Sequence, residues 1–149
     1  MKKRIAVLCL LFALILTGCS VIKSDKEAIH VYTKVYTASF SDNQWVKDGS
    51  DIDGHREIYK DGVSFGPYLQ VQPGRYLIVL KGSNLDKASI TFTSDAGQNK
   101  VDAVKIIDEA DSLEYFLPVN DPLEQFEIVI RNQQDDVVVL DSIVMEKID

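Results

Sequence analysis

Apolar and polar side chains alternate with a period of two along most of this chain. Tyr68–Gln72 sets Leu69 and Val71 on one face against Tyr68, Gln70 and Gln72 on the other, the repeat of a half-buried β-strand. Arg75–Lys81 is denser, with Tyr76, Ile78 and Leu80 on one face and Leu77 and Val79 on the other, which predicts a central strand covered on both sides. Ser89–Thr93 alternates Ile90 and Phe92 with Thr91 and Thr93, and Phe126–Arg131 aligns Phe126, Ile128 and Ile130. Val101–Ile107 and Leu113–Val119 give two more strands. Val137–Leu140 and Ser142–Lys147 fit one long strand broken near Asp141. His30–Thr37 is rich in the β-branched and aromatic residues that strands favour. No segment shows the apolar period of a three-turn helix.

Turn chemistry separates these runs. Gln72-Pro73-Gly74-Arg75 has the residues of a type II turn, Pro at the second position and Gly at the third, and predicts a central hairpin of the strands on either side. Asp95-Ala96-Gly97, Asn120-Asp121-Pro122 and Gln134-Asp135-Asp136 mark further turns. Ser41–Gly62, rich in Asp, Gly, Ser and Asn, is expected to be a long loop. Short strands at such spacings predict an all-β, antiparallel sandwich or barrel.

The first residues follow a different pattern. Lys2, Lys3 and Arg4 precede an apolar run, Ile5–Leu16, that is shorter than the roughly 20 residues a membrane-spanning helix needs; the combination has the form of a secretory signal. Leu16-Thr17-Gly18-Cys19 resembles the lipobox of bacterial lipoproteins. That resemblance implies cleavage before Cys19, lipid on its sulfur and acylation of its new amino group, several chains together holding where one holds weakly. The only other cysteine, Cys9, lies in the segment to be removed, so no disulfide partner remains. The expected organisation is a signal peptide over residues 1–18, a lipidated tether over 19–29 and one domain over 30–149. The expected location is extracytoplasmic, on the cell membrane or the outer membrane.

The full chain carries a formal charge of −7, and loss of Lys2, Lys3 and Arg4 makes the remainder more acidic still. Such a balance argues against nucleic acid as a partner and against electrostatic docking on anionic lipid. The membrane link therefore falls to the lipid on Cys19.

Gly66-Pro67-Tyr68 entering a strand, Pro73-Gly74-Arg75-Tyr76 leading into a second, Phe126–Arg131 and a closing hydrophobic strand resemble the galactose-binding-like, carbohydrate-binding jelly-roll domains. The likeness spans about Val63 to Lys147. It implies a β-sandwich of about eight strands, with loops at one end or a concave face available for a sugar. No sugar-binding residue set of that family carries over position by position, so the candidate site follows from the side chains themselves.

Trp45, Tyr59 and Tyr68 are expected to stack on a sugar, because apolar sugar faces match aromatic rings whose polar edges also hydrogen-bond; Phe65 fits the core. Arg56 and Glu57 are expected to hydrogen-bond the same ligand. Asp48, Asp51 and Asp53 lie among glycines in a segment that partly echoes a calcium loop, though without its terminal Glu; a structural calcium ion is the one cofactor they allow. His30 and His55, the two histidines, lack zinc-ligand spacing. No Gly-x-Ser-x-Gly elbow, phosphate loop or dinucleotide fingerprint occurs. The expected function is a lipid-anchored, non-catalytic binding module for cell-envelope or environmental carbohydrate. The alternative is a structural or protein-interaction lipoprotein of the envelope with no small-molecule ligand.

Overall fold

The computed structural model describes residues 31–148. Eleven strands run through them: β1 Tyr32–Thr37, β2 Val46–Ile52, β3 His55–Ser64, β4 Pro67–Val71, β5 Gly74–Ser83, β6 Ala88–Ser94, β7 Asn99–Val101, β8 Val104–Asp108, β9 Ser112–Val119, β10 Leu123–Asn132 and β11 Val138–Ile148. One 3-10 turn, Leu85–Lys87, is the helical element among the described residues. Every pairing is antiparallel, and the strands follow the order β7-β6-β10-β3-β11-β5-β9-β8, with β1 added to β11, β2 to β3 and β4 to β10. One layer comprises β1, β11, β5, β9 and β8; the other comprises β7, β6, β10, β4, β3 and β2. β3 serves both, pairing Arg56–Ile58 with Leu140–Val138 of β11, and Val63 and Ser64 with Arg131 and Ile130 of β10.

The alternation seen in the sequence produces the core. Tyr76, Ile78 and Leu80 of β5, Leu113, Tyr115 and Leu117 of β9, and Val138, Leu140 and Met145 of β11 are buried against Phe92, Phe126, Ile128 and Ile130 of the other layer. Each such side chain stabilises the fold by roughly 1.5–3 kcal/mol relative to exposure. Phe92 lies between the layers, 5.0 Å and edge-on to Tyr115, and stacked 6.2 Å from Phe126.

Five expectations require correction in detail. Eleven strands replace about eight, in part because Ser41–Gly62 is not a long loop: it holds β2 and most of β3. Asp53-Gly54 forms their turn, with φ of 50° and 85° between the paired Ile52 and His55, as a two-residue hairpin requires. Pro73-Gly74 does not close a hairpin. β4 pairs with β10 and β5 with β9 and β11, so this corner carries the chain between layers, and Gly74 has φ 158°, far from the type II value of about +80°. Val101–Ile107 is split at Asp102-Ala103, sending β7 and β8 to edges of different layers. β5 is central as expected, but its second face, Leu77 and Val79, stays half-exposed.

The break expected near Asp141 is a register shift between Leu140 and Ser142, where β11 passes β5. Gly82 lies across from it, and a Cβ there would meet the Val139 carbonyl oxygen at 1.9 Å. Gly82→Ala must therefore move backbone, with an expected loss of about 1–3 kcal/mol. Urea unfolding checks this, with Ser83→Ala on the adjacent exposed position expected within about 0.5 kcal/mol of the parent.

Candidate functional site

The segment after β1 folds back over the sandwich end. The Ala38 amide donates to the Ile143 carbonyl at 2.9 Å, and Phe40 is buried beneath it. Asp42 accepts from the Gln44 amide at 2.9 Å in a local turn, which delivers Trp45 to the start of β2 with φ 60°. The Trp45 carbonyl accepts from the Phe65 amide at 2.9 Å, and Gly66, φ 97°, lies under the indole. A Cβ on Gly66 would come within 2.9 Å of Trp45 Cδ2, so only glycine lets the ring rest there. Beyond the cis Gly66-Pro67 bond stands Tyr68, φ 65°, its ring edge-on to Trp45 at 6.0 Å. Two bulky aromatics in left-handed backbone, touching each other, are an uncommon combination; such conformations are retained at cost and cluster at functional sites.

Two depressions adjoin this region; Trp45 lines the first, and Tyr68 lines neither. A cleft of roughly 270 Å³ is lined by Tyr36, Phe40, Gln44, Trp45, Arg56 and Pro67, among others. A groove of roughly 290 Å³ on the outer face of the second layer is lined by Phe65, Thr91, Thr93, Glu127, Val129 and Arg131, among others. Phe65 borders both, so the residue expected in the core belongs to the wall of each.

Arg56 has a different part from the one expected. It is 4% exposed. Its Nε donates to Asp51 Oδ1 at 2.7 Å, Nη2 to Asp51 Oδ2 at 2.8 Å and to the Gln44 carbonyl at 2.6 Å, and Nη1 to Ser64 Oγ at 3.0 Å and the Trp45 carbonyl at 3.4 Å. These contacts engage all five N–H groups of the guanidinium, which also lies 4.9 Å from the Phe40 ring centre. With no donor left for a ligand, Arg56 is a positioning residue: it clamps the carbonyls on both sides of the Gln44–Trp45 bond. Asn43 completes the clamp, its amide donating to Asp51 Oδ2 at 2.8 Å and its side-chain oxygen accepting from the Asp51 amide at 2.7 Å.

Glu57 and Tyr59 stand on the other face of β3. Their partners are each other and the neighbouring strand: the Tyr59 hydroxyl donates to Glu57 Oε2 at 3.2 Å and shares a 2.7 Å hydrogen bond with Ser50 Oγ, while His55 Nε2 lies 3.8 Å from Glu57 Oε1. The five expected ligand-binding residues thus divide, with Trp45 and Tyr68 in one place and Glu57 and Tyr59 in another.

Nor do the three aspartates converge on a common ion site. Asp51 is spent on Arg56, Asp53 forms the hairpin turn, and Asp48, φ 51°, is exposed at the register shift opposite β3. Among the described residues, no group of three or more His, Cys, Asp or Glu is placed to hold a metal ion. Cys19 and His30 lie outside the described residues.

Glu127 was not singled out by the sequence, yet it is 5% exposed in the groove and accepts from Thr93 Oγ1 at 2.9 Å. Its signal was present: a carboxylate inside Phe126-Glu127-Ile128-Val129-Ile130, where the outward position beside it is Val129, implies an outer face that is partly covered.

Burial, and then the Glu127 carboxylate it meets, raises the Tyr68 phenol above its ordinary value. Burial likewise raises Tyr36, Tyr76 and Tyr115. A phenol that ionises less readily when folded supports the fold below about pH 10, and that support is lost as pH rises through the higher folded value. The hydrogen bond from Arg56 holds Asp51 below the usual carboxylate range. Its support is present above about pH 4 and fades as pH falls through the depressed value. Chemical unfolding across pH should therefore show stability falling on both flanks, with Asp51→Asn flattening the acid one.

No protein-family model and no curated protein sequence matches this chain. Among solved structures, the fold is similar to the C-terminal CBM6, a carbohydrate-binding module, of LamC, a marine laminarinase from Zobellia galactanivorans. The superposition has a TM-score of 0.51 at 12% identity and covers 75% of this chain and 100% of that one. The likeness establishes an antiparallel β-sandwich as the fold of this protein.

Proposed function

We propose that this protein is a lipid-anchored, extracytoplasmic, non-catalytic module that binds carbohydrate at the Trp45–Tyr68 ridge. The observation that carries the reading is the pair of aromatics, each in left-handed backbone, joined edge to face over Gly66, with Trp45 in the wall of the cleft beside them. Sugar rings stack on such side chains, and the Glu127 carboxylate and Thr93 hydroxyl beside them supply hydrogen-bond partners for sugar hydroxyls. The fold likeness to a carbohydrate-binding module supports it. Calorimetry with a panel of envelope and plant oligosaccharides tests the claim: saturable binding that Tyr68→Ala weakens is expected, and uniform absence of heat would overturn it. A single recurrent protein partner recovered by cross-linking in cells, with no glycan bound, would favour an interaction role instead.

The anchor rests on Leu16-Thr17-Gly18-Cys19. Cys19→Ala should abolish fatty-acid labelling and release the protein from membranes; unchanged labelling would refute the assignment.

A further inference from the structure

The groove beside the ridge is electrically lopsided, and the imbalance speaks to its ligand. The pairing registers fix which side chains share its face. Ser89 lies across from Arg131, Arg131 from Val63, and Val63 from Lys47, forming one cross-strand row. Lys100 lies across from Thr93 and Thr93 from Glu127, forming another. Residues directly opposite one another in an antiparallel pair project to the same side, so Arg131, Lys47, Lys100 and Glu127 all face outward with the groove. Glu127 is buried at one end. Arg131 is exposed four residues farther along β10, about 13 Å away at strand rise.

The cations are not equivalent. Lys100 is paired with Asp102 at 3.1 Å. Arg131 and Lys47 have no side-chain hydrogen bond or ion pair among the described residues, and both are exposed. They are one intervening strand apart, roughly 10 Å at sheet spacing. An acidic protein, with formal charge −7, thus presents two unpaired cations together at one end of a groove whose other end holds a carboxylate with Tyr68 against it and a threonine hydroxyl. A neutral glycan would use the second end and leave the first without a partner. A guanidinium fork with free donors matches a carboxylate in shape and charge.

We infer that the ligand of this groove is an acidic polysaccharide, lying along β10 with sugar hydroxyls on Glu127 and Thr93 and a carboxylate of a neighbouring sugar on Arg131 and Lys47. This rests on the carbohydrate reading above and narrows it to a ligand class. Because protein and polymer carry the same net sign, attraction must come from this local pair, and it weakens as salt screens it.

Affinity electrophoresis of the full chain in non-ionic detergent separates the possibilities, using gels that contain polygalacturonate, its methyl ester, neutral dextran or polyglutamate. The expected result is retardation by polygalacturonate, weakened about tenfold or more by methyl esterification and to a similar degree by Arg131→Gln, the loss of one charge-assisted contact. Lys47→Gln should give a smaller loss. Polyglutamate, charged but without sugar rings, should not retard the protein. Equal retardation by dextran and polygalacturonate, or no effect of Arg131→Gln, would overturn the acidic class and leave carbohydrate binding standing. Equal retardation by polyglutamate would mean charge recognition without sugar. Free migration in every gel would overturn both readings.

Discussion

Arg56→Met should destabilise the protein by about 3–5 kcal/mol, the cost of leaving a buried charge without its partner. The side chain removed is nearly fully buried, and its carboxylate partner is buried with it, at 5% and 1% side-chain exposure. Asp51 would keep its contacts with Asn43 but lose both guanidinium bonds, and the Gln44 and Trp45 carbonyls would lose theirs. Arg56→Lys should fall between, because an ammonium supplies three donors from one point where the fork supplies five. Adding Asp51→Leu to Arg56→Met should recover part of the loss by removing the orphaned charge, though not the two carbonyls. Urea unfolding at neutral pH measures these differences. Acidification supplies an internal check, since protonating the stranded Asp51 should narrow the gap between Arg56→Met and the parent. A loss below about 1 kcal/mol would mean that the clamp is not what holds the loop over β2 and β3.

Trp45→Gly should separate stability from binding. Glycine removes the side chain but also relieves a left-handed conformation that costs other residues roughly 1–2 kcal/mol, offsetting the packing lost with a half-buried indole. Stability should therefore change little, while carbohydrate affinity falls by about 30-fold or more, as when a central aromatic anchor is truncated. Trp45→Ala should bind as weakly and be less stable than Trp45→Gly, because alanine retains the backbone strain. Gly66→Ala attacks the same contact from below, placing a methyl group 2.9 Å from the indole. Calorimetry and thermal melts on all three distinguish a ligand platform from a core residue, whose loss would lower stability with either replacement.

Much of the scaffold was legible because it obeys one local rule. β5, β6, β9, β10 and β11 alternate apolar and polar residues, and their inward positions Ile78, Phe92, Leu117, Ile128 and Met145 are the observed core. β2 and most of β3 give no strand signal because their inner face carries Arg56 where an apolar residue would announce a strand; its charge is hidden by Asp51, whose position eight residues from Asn43 gives no periodic signal. The Asp53-Gly54 pair was the available clue. Pro73-Gly74 misled for another reason: turn chemistry fixes a change of direction but not which strand comes to lie alongside, and β4 and β5 each find a different neighbour. At the site, the chemistry of Trp45 and Tyr68 was readable from type and context. Arg56 and Glu57 are adjacent in sequence, but adjacent strand residues project to opposite faces, so the fold separates them. Glu127 required knowing that the outer face of β10 is itself half-covered.

Trp45 is the sole tryptophan of the chain, so fluorescence excited at the red edge of the tryptophan band, where the six tyrosines absorb little, reports on the proposed ridge. Titrating the protein with oligosaccharides while following that emission tests the central claim most directly. Carbohydrate recognition at the ridge predicts a saturable change in intensity or wavelength, with Tyr68→Ala shifting the midpoint to higher concentration. Binding detected by calorimetry with no change in Trp45 emission would place the ligand elsewhere and contradict the account.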